Sequence, residues 1–173
     1  MSADRSSRGL GALELLGSGA PFQAELRDLL AGSRAFADLE GHEIAQLARY
    51  MQAYRGAPHT VLFQEGENGS FMCVMIEGAA EIFKQDSDAG NKRISEIGAG
   101  KMVGEMALID GEPRSATCML SRSTTLAILT RDDFRRILHE HPALGVKMLM
   151  KIVTLTSRRL RLVSGQLVDY LEG

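Results

Sequence analysis

The sequence predicts an α+β chain in which helical ends flank a central antiparallel β domain. Three observations predict it. Apolar residues recur at helical spacing up to Tyr54, short apolar or alternating runs separated by turn signals fill 61–129, and helical spacing returns at Arg131. At 173 residues, the chain is the length of one ordinary domain with an extension.

Residues 1–20 are rich in Ser, Gly and Ala, and are expected to be a flexible leader to a domain spanning 21–173. From Phe22 to Tyr54, Leu26, Leu29 and Leu30 form one apolar group; Ile44, Leu47, Ala48 and Met51 form another. Gly32-Ser33 and Gly41 punctuate them, which predicts two or three short helices. Strands are expected at 61–63, 71–76, 79–83, 93–97, 117–120 and 124–129, with turns at 65–69, 77–78, 86–91 and 98–100. Roughly six to eight strands at about ten-residue spacing argue for a compact sandwich or barrel. The segment 88–91 reads as an exposed hairpin tip.

Thr130 is placed to cap a helix that starts at Arg131-Asp132-Asp133-Phe134. A long helix is expected over about 142–171, opening at Pro142. It carries two stripes. Leu149, Val153, Thr156, Leu160, Val163, Leu167 and Tyr170 keep a strict 4-3 spacing like the seam of a coiled coil. Met148, Ile152, Leu155, Arg159 and Leu162 lie on a neighbouring face. Two apolar faces need two partners, and the simplest pair is the barrel and a second copy of the same helix.

Composition narrows the function. The formal net charge of -2 supplies no electrostatic footprint for nucleic acid or an anionic membrane. No apolar run approaches the ~20 residues of a membrane span, and Glu14 interrupts the apolar leader segment too early for a secretory signal. Cys73 and Cys118 sit in apolar runs without CxxC or metal spacing, as expected of buried, reduced thiols in a cytoplasmic protein. Gly98-Ala99-Gly100-Lys101 lacks the remaining P-loop residues, and His139-Glu140-His141 lacks HExxH spacing. Arg158, Arg159 and Arg161 are basic without accompanying aromatics. No nucleophile–base constellation is visible, so no catalysis, metal or resident cofactor is expected.

The segment 103–120, VGEMALIDGEPRSATCML, carries the chemistry. Glu105 and Arg114 stand nine positions apart, separated by a one-turn apolar stretch and a Gly-Glu-Pro turn. An acid suits a sugar hydroxyl, a guanidinium forks onto phosphate oxygens, and a helix opening after Gly104 offers free N–H groups to the same anion.

Gly104-Glu105-Met106-Ala107-Leu108 and Pro113-Arg114-Ser115-Ala116-Thr117 together resemble the phosphate-binding cassette of the cyclic nucleotide-binding domain family. That family includes the bacterial catabolite activator proteins and the regulatory subunits of protein kinase A. The 63–78 segment, the preceding helices and the long helix fit as well, so the resemblance covers roughly 35–170. It implies an eight-stranded, jelly-roll-like β-roll. Glu105 would accept from the ribose 2′-hydroxyl and Arg114 would bind the cyclic phosphate. Backbone N–H groups of Met106, Ala107, Ser115 and Ala116 would complete the phosphate site, with the Ser115 hydroxyl beside them and Gly104 allowing close approach. Ile94, Ser95 and Ile97 match positions flanking the base, and Arg159 matches a long-helix arginine near the cassette acid.

Where bacterial activators carry Thr-Ser on that helix, this chain has Val163-Ser164. Val163 has no hydroxyl with which to make that threonine's adenine contact. The ligand implied is cAMP before cGMP. With no helix-turn-helix expected after the long helix, the reading is a stand-alone receptor. Its output would pass through a partner protein or a homodimer surface on the C-terminal helix, without direct nucleic-acid binding. The alternatives are a ligand-independent interaction module and a regulatory subunit of an unidentified effector.

Overall fold

A computed structural model of the chain describes residues 10–85 and 90–172, with side chains to 167. It divides into two compact units, one ending at Arg135 and one beginning at Arg136. Of the expected hairpin tip, positions 88 and 89 lie outside the described residues, as does the side chain of Tyr170, while Asn91 opens a strand.

The first unit opens with a 3-10 turn, Leu10–Ala12, and strand β1, Glu14–Leu15. Helices α1, Gly19–Ala31, and α2, Gly41–Ala48, follow. The strands are β2, Met51–Gly56; β3, Val61–Phe63; β4, Phe71–Glu77; β5, Ala79–Gln85; β6, Asn91–Gly98; and β7, Met102–Val103. A short helix, α3, Glu105–Ile109, precedes β8, Thr117–Leu120, and β9, Thr124–Thr130. Two antiparallel sheets result, in the orders β1-β2-β9-β4-β7 and β3-β8-β5-β6. This is the expected β-roll, with β1 added to its edge from the segment expected to be a leader. Leu10 and Leu13 explain that addition, because they pack against the buried core cluster. Burial of this kind offsets the entropy of ordering the backbone.

The structure corrects one boundary. Met51 continues the helical series of Ile44, Leu47 and Ala48, yet α2 ends at Ala48 and Met51 begins β2. Met51 and Ala53 are buried and Gln52 between them is exposed, the alternation of a strand, and the whole segment pairs with β9. Inside the roll, Leu62, Phe71, Cys73, Met75, Leu120 and Leu126 join one core drawn from both sheets. Because β7 pairs with β4 in one sheet and β8 with β3 and β5 in the other, the chain must cross between sheets over 104–116. That crossing is the predicted cassette.

Helix α4, Arg131–Glu140, begins as expected. The Asp133 amide donates to Thr130 Oγ1 at 3.1 Å, and the Thr130 hydroxyl donates to Asp133 Oδ2 at 2.8 Å. The second unit is dominated by α5, Pro142–Glu172. Along it Leu144, Met148 and Ile152 are buried, whereas Val153, Leu160, Val163 and Leu167 are exposed. The 4-3 stripe is thus open in the single chain. The neighbouring stripe loses its burial with distance: Leu155 and Arg159 are half-buried and Leu162 is 70% exposed.

Candidate functional site

The crossing starts with Gly104 in the left-handed region at φ 80°, where β7 turns into α3. Glycine adopts this conformation without the penalty of a side chain. A Cβ here would also stand 2.6 Å from Arg114 Nη1. The turn places Glu105 in the first turn of α3, where a carboxylate is favoured by the free N–H groups, and leaves it 1% exposed. Ala107 and Leu108 are buried, while Met106 and Ile109 remain about half exposed. The other end of the crossing is tied to the turn at 65–69. The Arg114 amide donates to Glu67 O at 2.7 Å, and the Gly66 amide donates to Arg114 O at 2.8 Å.

Arg114 occupies a cage. Its guanidinium carbon lies 4.1 Å from the Phe63 ring centroid and 4.7 Å from that of Phe71. The two rings meet edge to face, with centroids 6.3 Å apart. Nη1 donates to Gly104 O at 2.9 Å and Nη2 to Phe71 O at 2.7 Å. A Cβ on Gly69 would lie 2.9 Å from Arg114 Cζ and Nε, so glycine is what lets this wall close. The side chain is only 4% exposed, and its Nε is buried without a hydrogen-bond partner. Burial pulls the guanidinium below its ordinary pKa; Cys73, Cys118, Glu105 and Glu67 oppose that pull. An arginine remains a cation under such conditions. A buried cation with an orphan donor costs free energy until an anion reaches it.

Residues expected around the cassette fall into three groups. Gly104, Glu105, Met106, Ala107, Arg114, Ser115 and Ala116 share the crossing. Ser115 is exposed and Ala116 half-buried. Ile94, Ser95 and Ile97 are on β6, where Ser95 pairs with Ile82 and Ile97 with Ala80. Paired residues share a face, so Ser95 and Ile97 belong to the inner surface. Ile97 is 8% exposed, but Ser95 is exposed and Ile94, at a bulge, is 55% exposed. The inner face of β6 therefore opens towards Ser95. Arg159, Val163 and Ser164 belong to α5 in the second unit.

Several contributors were not evident from spacing. Phe63, Gly69 and Phe71 build the cage from another part of the chain. Lys84 Nζ donates to Ser115 O at 2.7 Å and to Glu65 Oε1 at 2.5 Å. Glu65 in turn accepts from the Gln85 amide at 2.9 Å. The hydrogen bond from Lys84, then that from Gln85, lowers the Glu65 pKa against a smaller effect of desolvation. Behind the cage lie free Cys73 and Cys118. Burial pushes Cys73 up to about 12, against the pull of the Arg114 charge, and Cys118 higher still. Among the described residues no cluster of His, Cys, Asp or Glu is suited to a metal ion. No helix among them is long and apolar enough to cross a membrane.

The cyclic nucleotide-binding domain family model matches residues 55–141, which contain the whole crossing and its cage. The chain belongs to the cyclic nucleotide-binding domain family. A crystal structure of a cyclic nucleotide-binding domain from Methylobacillus flagellatus KT is 31% identical. That likeness covers 92% of this chain and 90% of the other, with a TM-score of 0.79. The catabolite activator protein of Thermus thermophilus is 25% identical over 81% of this chain and 63% of its own, with a TM-score of 0.70. A CRP-like cAMP-activated global transcriptional regulator of Mycobacterium tuberculosis is 27% identical over 147 residues. A cAMP-dependent protein kinase regulatory subunit of Blastocladiella emersonii is 27% identical over 119 residues. This cyclic nucleotide-binding domain spans 62% of the length of the first curated relative and 30% of the second, while they cover 83% and 69% of it.

Proposed function

We propose that this domain is a stand-alone, non-catalytic receptor for a cyclic mononucleotide, cAMP before cGMP, in the cytoplasm. The buried Arg114, held by carbonyls on two nitrogens and with Nε unpartnered, is the observation that carries the reading. A cyclic phosphate is an anion that such a guanidinium binds through charge-assisted hydrogen bonds. Met106, Ala107, Ser115 and Ala116 would add backbone N–H groups, with Gly104 keeping the approach open. Glu105 would accept from the ribose hydroxyl. Ile94, Ser95 and Ile97 would flank the base on the open inner face of β6. Arg159, Val163 and Ser164 would serve the ligand from α5, with Val163 unable to supply the hydroxyl found in bacterial activators. The cAMP-related names of the relatives favour cAMP.

Output would pass through a homodimer surface or an effector protein. Val153, Leu160, Val163 and Leu167 leave an exposed apolar seam at heptad spacing for a second copy of α5. Ligand occupancy would order the cassette and shift the populations of the C-terminal helix through Arg159. Calorimetric titration with cAMP, cGMP and a cyclic dinucleotide, with Arg114→Ala as control, tests the ligand. Binding to none of them refutes it. Hydrogen exchange tests the output, and protection beyond Leu155 that ligand leaves unchanged refutes the helix response.

A further inference from the structure

Arg131 is 17 positions beyond Arg114 and outside the cassette in sequence. Its guanidinium nevertheless braces the cassette. Nη2 donates to Gly69 O at 2.6 Å and to Ala107 O. Helix α3 ends at Ile109, so the Ala107 carbonyl is among those that a helix terminus leaves without an intrahelical donor. A five-residue helix is too short to persist by its own hydrogen bonds. Arg131 supplies the missing donor and a cation at the favourable end. Gly111 lies against the same guanidinium, since a Cβ there would be 3.3 Å from Nη1.

Gly69 is thus bounded by two guanidiniums. Its Cα abuts Arg114 and the Ala107 methyl, where a Cβ would be 2.9 Å from Arg114 Cζ and 2.4 Å from Ala107 Cβ. Its carbonyl is bound by Arg131. By holding the carbonyls of Gly69 and Ala107 with one nitrogen, Arg131 fixes the contact that forms a wall of the Arg114 cage. The Arg131 amide also donates to Ser70 O at 2.7 Å, at the head of α4.

We infer that Arg131 is a positioning residue for the phosphate site, clamping the cage wall and coupling the cassette to the first turn of α4. This rests on the proposal that the domain binds a cyclic mononucleotide. Arg131→Met and Arg131→Lys are titrated with cAMP and cGMP beside the wild type and Arg122→Met, which removes an exposed arginine paired with Glu96. Thermal unfolding is followed without ligand. Arg131→Met is expected to weaken binding by about tenfold or more. Arg131→Lys should recover part of the loss through its remaining cation, and Arg122→Met should change nothing. A lower melting temperature with binding within about twofold of wild type makes Arg131 merely structural and overturns the inference. No binding by the wild type refutes the ligand reading instead.

Hydrogen exchange on the wild type keeps the test open if Arg131→Met fails to fold. Ligand is expected to slow exchange of the Arg131 amide. Binding with no change there overturns the coupling.

Discussion

Gly69→Ala isolates the geometry of the cage. Gly69 is outside the left-handed region, so an alanine backbone is tolerated and the effect is one of space. The added methyl would stand 2.4 Å from Ala107 Cβ and 2.9 Å from Arg114 Cζ and Nε. Carbon pairs prefer about 3.5–4.0 Å, so something must yield by about 1 Å. Ala107 is only 3% exposed and sits on the helix that carries Glu105; the alternative is to push Arg114 off Phe63 and Phe71. Overpacking of this kind costs about 1–3 kcal/mol. If that cost falls on the ligand-competent geometry, it weakens binding by roughly 5- to 150-fold. Titration calorimetry with cAMP and cGMP reads the change, with Gly90→Ala as a control because a Cβ there meets nothing within 4 Å. Binding by Gly69→Ala equal to that of the control would refute the cage as the phosphate site's wall.

Two other outcomes follow from the titrating groups. Glu65 has a depressed folded-state pKa, so its contribution to stability is present above the unfolded carboxylate value. It is lost as pH falls through the lower folded value. Acid unfolding of Glu65→Gln is expected to lack that loss, and a Glu65→Gln profile parallel to wild type over this range would contradict it. Cys73 and Cys118 are buried with raised thiol pKa values. Both are expected to resist alkylation at about pH 8 until the roll unfolds, as mass spectrometry would show; rapid labelling in the folded state would be inconsistent with the core.

The strands most legible in sequence are those whose burial follows the pleat. Thr117–Leu120 alternates between half-buried and buried residues, and 71–76 reads as an apolar run because Phe71 to Met75 are all buried. β2 was obscured because Met51 is in phase with both the preceding helix and the strand it opens. β1 and β7 have two residues each, too few for any period. Glu105 and Arg114 were legible because both lie on one short crossing. Their supports were not: Phe71 meets Arg114 across 43 positions, and Gly69 meets Arg131 across 62. Such contacts depend on how strands of two sheets are juxtaposed, and local spacing does not encode that.

Arg114 is proposed to bind a cyclic phosphate through a caged, forked guanidinium. Arg114→Lys keeps the charge and removes the fork and the planar stack between Phe63 and Phe71. The wild type is expected to bind a cyclic mononucleotide saturably, and hydrogen bonds to charged groups are worth about 1.5–3 kcal/mol. Arg114→Lys should weaken that binding by roughly 10- to 150-fold. Equal affinity of the two proteins in side-by-side calorimetric titrations would contradict that role for Arg114.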